Sequence, residues 1–273
     1  ITSAVRTSVI VLTCGALSLS AANWPSYRGN AERTGVTTEA LVFPLQARWS
    51  WESVQPPCPA WPQPGKELHR IDFDYAFQPV IADGNVLFAS STDDALRCLS
   101  LADGRTRWQF VADSPLRFAP DVANGKAYVA GDDGVVRCLD LEQGDVIWSF
   151  RGAPEKDLLL GNDRMISRWP CRTGVLVRND TVYVTAGMWP TQGIHVYALK
   201  ADSGETIWHN DSSGSVYMRF PHPVASGFGG VAPQGYLLSP GKRLLVPTGR
   251  NIPAVFDRAT GELLHYKAAE ALQ

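Results

Sequence analysis

Phe77-Gln-Pro-Val-Ile-Ala-Asp-Gly-Asn-Val-Leu-Phe-Ala89 and Phe118-Ala-Pro-Asp-Val-Ala-Asn-Gly-Lys-Ala-Tyr-Val-Ala130 are two copies of one phrase. Each copy continues in the same way. Asp93-Asp94-Ala-Leu-Arg-Cys-Leu99 answers Asp132-Asp133-Gly-Val-Val-Arg-Cys-Leu139, and Ala102-Asp-Gly-Arg-Thr-Arg-Trp108 answers Glu142-Gln-Gly-Asp-Val-Ile-Trp148. Gly84 and Gly125 are 41 positions apart, and Trp108 and Trp148 are 40 apart. The difference of one residue falls in the loop that holds the Asp pair.

Asp83-Gly84 and Asn124-Gly125 are strong two-residue hairpin signals between apolar runs. They divide each copy into four predicted strands, at 80–82, 85–89, 96–101 and 105–111, and at 122–123, 126–130, 135–141 and 145–151. A period near 40 with four short strands per unit predicts an all-β fold, a β-propeller of four-stranded blades. A third unit runs from Thr173 to Trp208 and a fourth from Gly235 to His265. Gly104, Gly144, Gly204 and Gly261 each stand four residues before Trp108, Trp148, Trp208 and His265, so His265 takes the Trp place in the fourth. The later units are longer because of 152–172 and 211–233, insertions between units that are expected to build a binding face. About four blades do not make a usual closed ring, and an arc leaves two open sheet edges. The expectation is therefore a part of a larger ring of seven or eight blades.

The flanks divide the chain further. Residues 1–22 read as a signal peptide: Arg6, an apolar run from Ser8 to Leu19, and the small residues Ser20-Ala21-Ala22. That run is too short to span a bilayer comfortably, so no transmembrane span is expected in the mature chain. Residues 23–76 form an N-terminal segment. Within it, Ala47-Arg-Trp-Ser-Trp-Glu52 alternates like a ring-closing strand, with Trp49 and Trp51 on one face. Five Pro between Pro56 and Pro64 predict an irregular surface loop. Residues 77–273 carry the repeats.

Composition narrows the function. A net charge of −2 without a long basic run argues against nucleic acid as a partner. An exported chain meets an oxidising compartment, periplasmic or secreted, where disulfides are permitted. Cys98 and Cys138 hold equivalent repeat positions and read as small buried core residues. Cys58 and Cys171 lie outside the pattern, and a disulfide between them stays open. The five His are scattered at His69, His195, His209, His222 and His265, with no zinc-ligand spacing. No Gly-x-Ser-x-Gly elbow, phosphate loop or Cys-x-x-Cys-His haem motif occurs. Asp93-Asp94 and Asp132-Asp133 have the oxygens a hard cation prefers, but their repetition favours polar hairpin tips.

The Gly-x-x-x-Trp ending of successive units resembles the tryptophan-docking repeat of pyrroloquinoline quinone (PQQ)-like β-propellers. So does the opening Trp24-Pro-Ser-Tyr-Arg-Gly-Asn30, which resembles a stretch near the start of many exported bacterial members. The resemblance assigns Trp108, Trp148 and Trp208 a structural docking role. An indole on an outer strand can pack between blades and donate its N–H to a neighbouring carbonyl. The family includes dehydrogenases that bind PQQ and calcium, and cofactor-free members such as the lipoprotein scaffold of the outer-membrane β-barrel assembly machinery. The dehydrogenases have an adjacent Cys-Cys pair and a calcium set of Glu, Asn and Asp. Neither is found here, so no catalytic or metal-binding residue is assigned and PQQ and calcium have no motif behind them.

The best candidates for a ligand face are irregular stretches. Arg168, Trp169, Arg172, Gln234 and Arg250 are expected to converge near the central channel and to suit an anionic or quinone-like ligand. Pairing of these arginines with acids such as Asp163 and Asp257, or with loop carbonyls, is the structural alternative. Trp61, Trp169 and Trp189, expected to be exposed beside Pro or Gly, raise a weaker option of polysaccharide or peptide binding. The reading is a non-catalytic exported binding or scaffold module with a protein partner or small ligand. The alternative is the N-terminal part of a periplasmic PQQ- and calcium-dependent quinoprotein dehydrogenase.

Overall fold

The computed structural model describes residues 22–41, 43–58, 60, 76–161, 164–219, 226–248 and 251–267. The signal-peptide expectation therefore lies almost wholly outside the described residues, as do Trp61, His69, Asp163, His222 and Arg250.

The first unit is β1 (Val80–Ala82), β2 (Asn85–Ser90), β3 (Ala95–Ser100) and β4 (Thr106–Val111). The second is β5 (Asp121–Ala123), β6 (Lys126–Ala130), β7 (Val135–Asp140) and β8 (Val146–Arg151). A connector follows, with the hairpin β9 (Leu158–Gly161) and β10 (Arg164–Ser167) and the short β11 (Thr173–Gly174). The third unit is β12 (Leu176–Arg178), β13 (Thr181–Ala186), β14 (His195–Lys200) and β15 (Thr206–Asn210). A second connector holds the hairpin β16 (Val216–Arg219) and β17 (Ser226–Gly229), then β18 (Gly235–Tyr236). The last unit has β19 (Arg243–Thr248), β20 (Asn251–Asp257) and β21 (Leu263–His265).

Units one to three are four-stranded antiparallel meanders. Asp83-Gly84 and Asn124-Gly125 turn with both φ positive, the geometry that matches strand twist. Asn179-Asp180 makes the same turn in the third unit without glycine, which Asn and Asp tolerate better than other residues. The fourth unit departs from the expected four strands. Its sheet has three, and Leu238 touches Leu245 in an isolated bridge. Pro240 has no N–H to extend that pairing, and Gly235-Tyr236 instead pairs parallel with Thr173-Gly174.

One irregularity recurs in all four units. The register shifts after Cys98, Cys138, Ala198 and Val255, opposite Trp108, Trp148, Trp208 and His265. A bulge at this place sharpens the twist of the outer strand pair. Cys98, Cys138 and Ala198 are small residues facing an indole across the ladder, and all three are buried.

Each core lies between neighbouring units. One apolar cluster joins the first two sheets, through Leu87, Cys98, Ala127 and Val129. A second joins the next two, through Tyr128, Cys138, Val182 and Val184. A third runs through Leu176, Val196, Leu244 and Phe256. The indoles cross these seams. Trp108 Nε1 donates to Leu141 O at 2.9 Å, Trp148 Nε1 to Ala201 O at 3.1 Å and Trp208 Nε1 to Arg258 O at 3.0 Å. Trp49 repeats the contact ahead of the first unit, donating to Leu101 O at 2.9 Å. Every ring lies on the turn glycine of the following unit. A β-carbon on Gly104, Gly144 or Gly204 would stand 2.7, 2.6 or 2.7 Å from the ring of Trp49, Trp108 or Trp148.

Residues 47–52 form no strand, contrary to the alternation of their sequence. No described strand lies beside them, so side chains alone hold the segment: the Trp49 indole, and Trp51 packed on Phe77 and Phe88. Further upstream, Trp24–Gly35 runs along the inner ends of the units. Trp24 bridges Ile81, Val122 N–H donates to Pro25 O, and Ser239 N–H donates to Ala31 O.

Candidate interaction face

The meander assigns ends to every loop. Turns after the first and third strands of a unit lie at one end. Tips after the second strand, and connectors to the next unit, lie at the other. Ser91–Asp94, Gly131–Gly134, both insertions and the 190–192 turn therefore share one face. Hydrogen bonds tie them together: Asp132 N–H to Pro115 O, Ser167 N–H to Asp132 O, Cys171 N–H to Gly131 O and Gly187 N–H to Pro170 O.

Both Asp pairs of this face sit at hairpin tips, Asp93 exposed and Asp94 half-buried, but Asp132 and Asp133 buried. Asp132 is buried between two guanidinium groups, with Arg117 Nε at 2.7 Å and Arg172 Nε at 3.3 Å. Arg117 also donates to Cys58 O at 2.6 Å. Asp133 pairs with Arg137, Asp93 with Arg97 and Asp94 with Arg164. Hydrogen bonding to Arg97 holds the Asp93 carboxyl below its ordinary range. Burial pushes Asp94 the other way, against the pull of Arg164. Asp132 and Asp94 thus bind arginines from connectors, whereas Asp133 and Asp93 each bind an arginine on the third strand of their own unit.

The five candidate ligand residues take different places. Arg172 lies in the buried ion cluster. Gln234 adjoins it, since Gly235 N–H donates to Arg172 O at 3.0 Å. Trp169 is buried in the second core and donates to Gln192 O at 2.6 Å. Arg168 extends outward to Asp157 at 2.7 Å, over the Trp169 ring. Arg250 lies outside the described residues. All four described thiols are free, Cys171 among them, with burial pushing its pKa up.

Two hairpins rise from the face with apolar side chains turned to solvent. Leu160 and Met165 are cross-strand partners on β9 and β10, 72% and 54% exposed. Tyr217 and Phe228 are partners on β16 and β17, each 65% exposed, with ring centroids 5.3 Å apart. The insertions were legible in the sequence as extra length, but these pairs were not. Alternation in Leu158-Leu-Leu-Gly161 is absent, so nothing in that stretch says which side chain faces out. Arg33, Asp121 and Arg117 were also missed, because each is an isolated charge whose partner is distant in sequence.

The family model described as outer membrane protein assembly factor BamB matches residues 50–184. A curated relative, outer membrane protein assembly factor BamB of Yersinia pestis, is 30% identical over 165 residues, covering 48% of this chain and 42% of that protein. Two solved quinohemoprotein alcohol dehydrogenases share the fold. The one from Comamonas testosteroni has a TM-score of 0.64 at 14% identity, over 90% of this chain and 41% of that one. The one from Pseudomonas putida HK5 has a TM-score of 0.59 at 16% identity, over 91% and 40%. The chain thus spans less than half the length of these proteins.

Proposed function

We propose that this chain, with its PQQ-like β-propeller repeats, is a non-catalytic scaffold outside the cytoplasm that holds a protein partner on its connector face. The observation that carries the reading is the pair of hairpins with outward Leu160, Met165, Tyr217 and Phe228. Contiguous exposed apolar groups mark interaction sites on soluble domains. Aromatic and Met side chains are the types enriched in protein interfaces. Beneath them, the charged groups of the face are engaged with one another, Asp132 with Arg117 and Arg172 above all. The matching relative is named for outer-membrane protein assembly, so the partner class proposed is a component of that assembly machinery. With that partner class, the location proposed is the periplasm. No helix among the described residues is long and apolar enough to cross a membrane.

The test is photo-crosslinking from Leu160 and Phe228 in the full-length exported protein in its host. Crosslinks from both positions to the assembly machinery, and none from the outer-strand residue Ile147, are expected. Absence of crosslinks, together with calcium-dependent PQQ binding in calorimetric titration, would replace this reading with a quinoprotein dehydrogenase.

A further inference from the structure

His195 opens β14 and His209 lies on β15, diagonal to it across the ladder in which Tyr197 faces His209. The Nδ1 of His195 and the Nε2 of His209 are 3.0 Å apart. His209 is exposed and His195 half-buried. Both rings are held in place. Tyr197 stacks on His209 at 4.2 Å with planes 6° apart, and its hydroxyl donates to Gly152 O at 3.0 Å. His195 stacks on His209 with centroids 5.3 Å apart.

Two nitrogens bound to one ion at about 2.0–2.1 Å, with a cis angle near 90°, stand about 2.9 Å apart. The observed separation meets that requirement without movement of the backbone. We propose that His195 and His209 form a two-imidazole site for a borderline divalent cation of the nickel or copper class. Imidazole suits these metals, whereas calcium and magnesium take oxygen ligands. Without metal, one of the two facing nitrogens carries the hydrogen of the contact. Binding moves that proton to the other nitrogen of the same ring through water, leaving both rings neutral and both facing lone pairs on the ion. The Asp211 carboxylate acts on both rings and adds negative charge beside the site. Among the described residues no group of three His, Cys, Asp or Glu gathers there, so water completes the coordination. A bound ion would fasten the end of β15, where the chain leaves for the β16–β17 hairpin.

The experiment is calorimetric titration of the full-length protein with Ni2+, which does not oxidise the free thiols. Binding at one site is expected. His209→Gln and His195→Gln should each weaken it about tenfold or more, the lower end of what loss of an outer-sphere partner costs. His265→Gln serves as the control and should leave it unchanged. Circular dichroism of each metal-free variant checks the fold. If folded His209→Gln binds as tightly as the wild type, or the wild type binds no tighter than the His195→Gln/His209→Gln double variant, the site does not exist. As a second readout, Ni2+ should broaden the imidazole resonances of His195 and His209 before those of His265. Broadening of His265 first would equally overturn the assignment.

Discussion

Arg33 and Asp121 meet at 3.1 Å inside the protein, 88 positions apart in sequence. Arg33 also donates to Tyr27 O, Val175 O and Leu237 O, and Asp121 accepts from Val177 N–H. One ion pair thus ties the N-terminal segment to the inner ends of the second, third and fourth units. Burial pushes the Asp121 carboxyl up and Arg33 pulls it down, so the carboxylate depends on its partner.

Arg33→Met should therefore destabilise the protein by about 3–5 kcal/mol, the cost of leaving a buried charge uncompensated. The Arg33→Met/Asp121→Leu double variant should recover a large part of that loss, since apolar groups of similar volume replace buried ion pairs well. Urea denaturation measures both. A double variant no more stable than the single one would show that the arginine's hydrogen bonds to carbonyls, rather than the ion pair, matter.

The seams make a graded prediction. Trp108 is buried, whereas Trp148 and Trp208 are partly exposed. Trp108→Ala should cost about 3–5 kcal/mol, as large-to-small changes in cores do, and Trp148→Ala less. Gly144→Ala should cost about 1–3 kcal/mol by overpacking against the Trp108 ring, with φ of +79° adding strain. Thermal melts would sink the account if Gly144→Ala matched the wild type.

Cysteine reactivity separates the thiols. Burial pushes Cys98 and Cys138 up to about 11 and Cys171 higher still. The thiolate is the reacting form, and a raised pKa leaves little of it near pH 8. A thiol reagent on the native protein should therefore label the partly exposed Cys58 ahead of Cys98, Cys138 and Cys171, with those three reacting as well in denaturant. Rapid native labelling of Cys138 would contradict the buried position opposite Trp148.

The hairpins should be dispensable for folding. Leu160→Asp and Phe228→Asp should change stability by about 0.5 kcal/mol or less, as exposed substitutions do, while abolishing the crosslinks expected above. Large losses of stability would mean that these side chains serve the fold.

Much of the fold was readable in one dimension because its determinants are local. Asp83-Gly84 and Asn124-Gly125 specify turns through their own φ preferences, and strand alternation follows from the pleat. The four strands of each early unit came out within one residue at either end. The strand predicted at 47–52 failed because a ladder needs a neighbour, and alternation carries no information about one. The Asp pairs lie at hairpin tips, as their residue types imply, but the burial of Asp132 was not legible for a related reason. Asp132 is a turn residue by type, and only Arg117 and Arg172, brought in by connectors on either side, make it a buried ion centre.

The sequence by itself determined the repeating unit, the turns and the positions of the indoles, because backbone preference and side-chain period act over a few residues. Only the tertiary structure decided which glycine each indole covers, that Arg33 joins three units through Asp121, that Leu160 and Phe228 face water, and that His195 and His209 stand 3.0 Å apart. Those facts depend on how sheets stack and strands register, and distances between separate strands are not encoded in any short stretch of chain.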